Sequence, residues 1–390
     1  MTNNRLFYLD NLKIALTMLV VAHHAGQPYG GSNGFWYYQT DEAIHLGPFF
    51  SVNAGFFMSL FFFISAYFFP GSAERKGPGE FAKAWLLRLG LPLLGGFLIL
   101  MPLLMYGYYA NFRDYGSVGF FDYYANIYLG FGDMPAGWTG PSWPDMQFGH
   151  LWFIEHLLVY AVLYALIRKL LGRSPKIATV KKPVGQWGIV TFCCLVALVT
   201  YWVRINYPID TWVGFLGIIQ TEFAHIPQYI AFFIAGIAAY HRGWLQTLSR
   251  SVGLTWLTIG LALAVSKYTG WVRLYSQGGA NGDSLAYAFY ETFLCAGLSI
   301  GLIYLFREFA NRSTRWTAML SPNTFAVYIL HVPVVVGLQY ALDGVAMPTA
   351  LEFLTVTIGG IILTFTVSHL IRAAFRQLRP QTSQRSRESL

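Results

Sequence analysis

Hydrophobic residues fall into ten runs, at about 12–27, 50–69, 84–106, 150–167, 187–203, 223–240, 252–268, 285–305, 320–341 and 352–371. Each run is near the ~20 apolar residues that carry an α-helix across a hydrocarbon core, and aromatic residues gather at the run ends. Polar, glycine-rich or proline-containing segments separate the runs. The pattern predicts an all-α polytopic membrane protein of about ten transmembrane helices. It predicts one membrane domain over 1–375 and a polar cytoplasmic tail over 376–390, with no internal repeat.

Composition supports that class. Only 11% of the 390 residues are charged and 55% are hydrophobic, whereas a soluble domain carries about 25% charged residues. The net charge of +8 invites a nucleic-acid reading, but the placement of the cations argues against it. With the N-terminus inside, only Arg113, Arg204, Lys267 and Arg273 of the 26 basic residues fall on the outer side. The positive-inside rule then puts both termini in the cytoplasm. The basic loop from Arg168 to Lys182 reads as a topology signal that also attracts anionic lipid. The first run lacks a small-residue cleavage site and reads as a retained span. Cys193, Cys194 and Cys295 lie within runs, lack metal spacing and read as packing residues.

The candidate chemistry sits inside the runs. Lys13 and His24 are eleven residues apart in LDNLKIALTMLVVAHH, which places them on one helix face and roughly 16 Å apart along the axis. An ionisable group within a span is expensive and marks a functional site by default. His150 opens GHLWFIEH, followed by Trp152 and Glu155; His331 lies in SPNTFAVYILHVP, where Pro333 should bend or break the helix. His369 reads as interfacial. Glu155, Glu222 and Glu291 are the main intramembrane carboxylates, each able to orient a histidine, bind a cation or line a wet cavity. Glu222 and His225, at i,i+3 spacing, read as a satisfied buried pair. Lys83 and Arg88 join Lys13 at the inner surface as an electropositive mouth suited to an anionic ligand. The long loops 28–49 and 107–149 are rich in aromatics and glycine, a composition shared by carbohydrate-contacting surfaces and membrane-interface belts. No H-E-x-x-H motif or P-loop is present and no strand-to-helix nucleophile elbow is predicted, so serine-hydrolase, zincin and NTPase readings lose support.

These blocks resemble the integral membrane acyltransferase-3 family: a basic residue and a histidine eleven apart in LDNLKIALTMLVVAHH, then FFFISAYFF, LLRLGLP, GHLWFI and SPNTFAVYILHVP, in order from about residue 6 to 335. The look is closest to the branch containing glucan biosynthesis protein C. Two positions depart from the family pattern: Lys13 stands where arginine is usual, and Trp85 stands where the first of two arginines would be. The resemblance implies a bacterial cytoplasmic (inner) membrane enzyme transferring groups other than aminoacyl groups. Its acyl group, acetyl or succinyl, would pass from cytoplasmic acyl-CoA to a hydroxyl of a carbohydrate or other acceptor at the outer face. His24 then takes the catalytic histidine's place and Lys13 the paired basic position. Lys83 and Arg88 would join Lys13 on the CoA phosphates. Glu155 and His331 would support catalysis, and His150 and Trp152 would contact substrate. Acyl-CoA is a co-substrate in this reading, and the reaction calls for no tightly bound cofactor, metal or nucleic acid. The competing readings are a transporter or flippase with proton-relaying His and Glu residues, and a membrane sensor or structural subunit. For the first, the proline near His331 fits but no repeat is apparent; the second explains composition and topology but not the aligned Lys13–His24 face.

Overall fold

The computed structural model describes residues 5–30, 35–113, 115–140, 142–172, 183–215 and 219–377. Most of the basic loop and the end of the tail, residues 173–182 and 378–390, lie outside the described residues. Ten long helices account for the ten apolar runs: α1 Phe7–Ala25, α2 Gly47–Lys76, α3 Pro78–Phe112, α4 Gly149–Leu171, α5 Gln186–Arg204, α6 Ile226–Arg242, α7 Arg250–Tyr268, α8 Gly282–Phe309, α9 Arg315–Leu342 and α10 Thr349–Gln377. Eight of them are long and apolar enough to cross a membrane. The other two are α6, with 17 residues, and α1, which carries Asp10, Asn11, Lys13 and two histidines. Among the described residues the only strands are a short antiparallel pair, β1 Trp212–Phe215 and β2 Ile219–Glu222, with Trp212 opposite Glu222. The chain is an all-α polytopic membrane protein.

Local chemistry sets the helix ends. Ser249 and Asn281 cap α7 and α8 by accepting backbone N–H bonds from Val252 and Ser284. Gly172 and Gly243 end α4 and α6 in left-handed backbone, which glycine adopts without a Cβ penalty. In α3, wide π-type turns at Leu86–Gly90 and Gly96–Leu100 come just before Pro92 and Pro102. Each wide turn accommodates a proline that cannot donate to the preceding turn.

Helix α8 is the hub: 67% of its apolar window is buried, against 22% for α10, and it packs on α7, α5, α2 and α1. It meets α7 backbone to backbone, since a Cβ at Gly297 would stand 2.6 Å from the Gly260 Cα. Small residues allow this close approach where lipid supplies no hydrophobic drive between helices. Helix α1 lies among α9, α10, α8 and α2. The outward faces carry exposed leucine, isoleucine and valine, such as Leu163, Leu166 and Leu170 on α4 and Ile358 and Ile362 on α10. Water would penalise such faces; hydrocarbon does not.

Candidate active site

Three of the sequence-predicted histidines meet at one point. His24 ends α1, His150 opens α4 and His331 lies midway along α9. The His24 and His331 ring centroids are 4.8 Å apart, His150 and His331 5.2 Å, and His24 and His150 6.5 Å. His331 is fully buried and His150 nearly so, while His24 keeps partial exposure.

Backbone carbonyls determine which nitrogen of each neutral ring carries the proton. A carbonyl only accepts, so a ring nitrogen facing one must be N–H. His331 Nδ1 donates to the Tyr328 carbonyl at 2.7 Å, which leaves its Nε2 as a lone pair. His24 Nδ1 donates to the Val20 carbonyl at 3.0 Å, and the same N–H lies 3.0 Å from His331 Nε2. One donor thus serves two acceptors. His24 Nε2 is left bare and makes no hydrogen bond among the described residues. His150 Nε2 donates to the Ile329 carbonyl at 2.9 Å; its bare Nδ1 is buried and unpartnered among the described residues. Neutral His150 therefore offers an acceptor, suited to a substrate O–H or N–H, and no donor with which to polarise a thioester.

The seat of His150 follows from Pro333. In an α-helix the Ile329 carbonyl would accept from the N–H four residues later, and that residue is Pro333, which has none. The helix continues through Pro333 to Leu342 instead of breaking, and the spare carbonyl takes the His150 ring. The Tyr328 hydroxyl adds a bond to the His150 carbonyl. Pro333→Ala would restore a competing N–H. Turnover is expected to fall about tenfold, equivalent to one lost hydrogen bond of ~1.4 kcal/mol, with Tm unchanged or raised. Steady-state kinetics beside thermal unfolding checks this; unchanged kcat with lowered Tm would contradict it.

The basic residues lie toward the other end of α1. Lys13 is ion-paired: Asp10, three residues earlier, holds its Nζ at 2.9 Å and also takes Arg5 Nε at 2.7 Å. Lys13 rests over the Phe68 ring; the adjacent Phe69 packs on Trp85, and Arg88 lies over Trp85. Lys13 and Arg88 thus share one end of the bundle. Lys83 and Arg88 are exposed and make no ion pair among the described residues.

Two expectations need correction. Glu155 orients no histidine: both carboxylate oxygens are buried without a partner among the described residues. Five residues after His150, it is turned by roughly 140°, onto the α4 face where Leu151 and Leu158 meet Gly96 and Gly90 of α3. The orienting groups are His331 and the backbone carbonyls. Trp152 makes no ring contact with His24, His150 or His331 among the described residues; it stacks on Tyr229 and touches Trp212 and His156.

Elsewhere, the Glu222–His225 pair is part of a larger buried network. His225 Nδ1 lies 2.8 Å from Glu222 and its Nε2 3.1 Å from Glu291, which also pairs with Arg204. The paired carboxylates tie α5 and α8 to the segment entering α6. In the loop before α4, Arg113 lies 3.6 Å from Asp145 and over the Trp138 ring. Burial, only partly offset by Arg113, pushes the Asp145 carboxyl up to about 6. His369 is exposed, and the three cysteines are free thiols. Among the described residues no cluster of His, Cys, Asp and Glu is disposed to hold a metal.

Sequence reasoning missed Trp36 and Gln339, which brace His24, and Asp10, which holds Lys13. Asp10 was detectable as an acidic residue at i,i+3 from a lysine. Trp36 lay in a loop that only its aromatic content marked.

Comparison with known proteins identifies the family. The family model described as an acyltransferase domain matches residues 6–372. No curated protein and no solved structure matches the chain significantly.

Proposed function

The chain belongs to this acyltransferase-domain family, and from that premise we propose that it transfers an acyl group from acyl-CoA to a hydroxyl acceptor, with His24 as general base. It is a membrane acyltransferase. The proposed finer reading has cytoplasmic acetyl- or succinyl-CoA docking its phosphates at the Lys13, Lys83 and Arg88 end, both termini being cytoplasmic. The acceptor, a carbohydrate of the glucan kind or another hydroxyl compound, meets the donor at the outer half of a bacterial inner membrane.

In this reading His24 Nε2 takes the acceptor hydroxyl's proton as the oxygen attacks the thioester carbonyl. The C–S bond then breaks, and the Nε2 proton passes to the departing CoA sulfur. As His24 becomes imidazolium, its Nδ1–H bond to His331 Nε2 becomes charge-assisted, which favours the transition state over the ground state. His150 Nδ1 accepts from a substrate O–H or N–H. The observation that carries the proposal is the bare Nε2 of a partly exposed His24 whose other nitrogen is committed to Val20 and His331.

The test uses purified full-length protein in nanodiscs with radiolabelled acetyl- or succinyl-CoA, following CoA thiol release and CoA-dependent thermal stabilisation. Folded protein that neither releases nor is stabilised by CoA would overturn the reading and favour transport. Lys13→Ala is expected to raise the donor KM about tenfold, more than it lowers kcat, as the loss of one phosphate contact of ~1–2 kcal/mol implies. An unchanged donor KM would remove Lys13 from the donor site.

A further inference from the structure

His24 has a third neighbour that the transfer mechanism does not use. The Trp36 indole lies nearly parallel to the imidazole, at 25° with centroids 5.8 Å apart. Trp36 is 5% exposed although it belongs to a loop. Its Nε1–H donates at 2.8 Å to the Gln339 side-chain oxygen, and the Gln339 amide donates at 3.2 Å to the Ala25 carbonyl, next in the chain to His24. Gln339 is fully buried and lies two helical turns beyond His331 on α9.

The flanking loop residues are clamped to the same helix. The Tyr340 hydroxyl donates to the Tyr37 carbonyl at 2.8 Å, and the Tyr38 hydroxyl donates to Asp343 at 3.1 Å. Phe35 packs on Tyr108. One aromatic segment, 35–38, is therefore pinned to α9 and its capping residue Asp343, and through Phe35 to α3, with its single indole laid over the base.

A loop tryptophan buried this deeply must have a partner for its N–H. Here the partner also holds the last turn of α1. Breaking either hydrogen bond would free the indole from the backbone that carries His24.

We propose that Trp36, anchored by Gln339, is a positioning residue: it fixes the plane of the His24 imidazole and keeps water from it, so that the acyl group goes to the acceptor and not to water. Its catalytic consequence rests on the proposed acyl transfer; its effect on His24 does not. The indole face restricts ring rotation and occupies space from which water would reach the imidazole. The Gln339 bridge couples that face to the end of α1, so base and cover move as one unit.

The experiment compares wild type, Trp36→Ala, Trp36→Phe and Gln339→Leu by two readouts. The first is the rate at which diethyl pyrocarbonate modifies His24, located by tandem mass spectrometry. The second is the ratio of donor hydrolysis to acyl transfer at saturating donor, which does not depend on the fraction of active protein. Trp36→Ala is expected to raise both about tenfold, the scale of one lost aromatic stack. Trp36→Phe, which keeps a ring but not the hydrogen bond, should restore most of the difference, and Gln339→Leu should fall between. An unchanged His24 modification rate in Trp36→Ala, or an unchanged ratio, overturns the proposal. If the wild type releases no CoA, the acyl-transfer reading fails and the modification rate alone decides the role of Trp36.

Discussion

His24→Ala is expected to lower acyl transfer by about 10²–10⁴-fold, the range that a positioned general base supplies. The expectation follows from a division of labour along α1. Lys13, near the start of the helix, is held by Asp10 and Phe68, while His24, near its end, meets His331 and Trp36. Deleting the imidazole leaves the basic end intact, so CoA-dependent thermal stabilisation should persist. The removed side chain is partly exposed, and its loss deprives only His331 Nε2 and the Val20 carbonyl of a side-chain donor. The fall should therefore appear in kcat, measured under donor saturation. Equal loss of turnover and of CoA stabilisation would instead assign His24 to ligand binding or to the fold.

His331→Leu carries the second large effect, a fall in kcat of about 10²–10³-fold. In a Ser-His-Asp triad, removing the group that orients the base costs about 10⁴-fold because the wrong tautomer results. Here the Val20 carbonyl also holds the His24 Nδ1 proton, so the tautomer survives and the smaller range applies. What is lost is the acceptor that stabilises the imidazolium as it forms. His331→Gln offers an amide oxygen near the place of Nε2 and should recover at least tenfold of the loss, since a retained hydrogen bond to a charged donor is worth ~1.5–3 kcal/mol. Leucine conserves volume in a fully buried position, which keeps the comparison one of chemistry rather than packing. Equal activity of the Gln and Leu variants would mean that His331 acts by packing alone.

The helices were legible because hydrophobic runs of membrane length have few alternative structures. All ten runs are helical, although helix ends extend several residues past the apolar limits, as in α8. The histidines stood out because an ionisable group costs free energy within a span. Their convergence did not, since hydrophobic periodicity says which face of a helix is buried but not which helix it meets. Glu155 was grouped with His150 by proximity in sequence, yet five residues turn it toward α3. Pro333 looked like a helix break; its effect is instead a spare carbonyl that seats His150. Trp36 and Gln339 were hidden for a related reason, since their hydrogen bond joins a loop to a helix some 300 residues away and neither position carries a local signal.

The most direct measurement of the central claim is solid-state NMR of the protein in bilayers with ¹⁵N-labelled histidine, the His24 signals being assigned by their loss in His24→Gln. The structure predicts that at neutral pH Nδ1 of His24 carries the proton and Nε2 does not, with the same tautomer at His331 and the opposite one at His150. A protonated Nε2 on neutral His24 would leave that nitrogen no lone pair to take the acceptor's proton, and the general-base account would be contradicted.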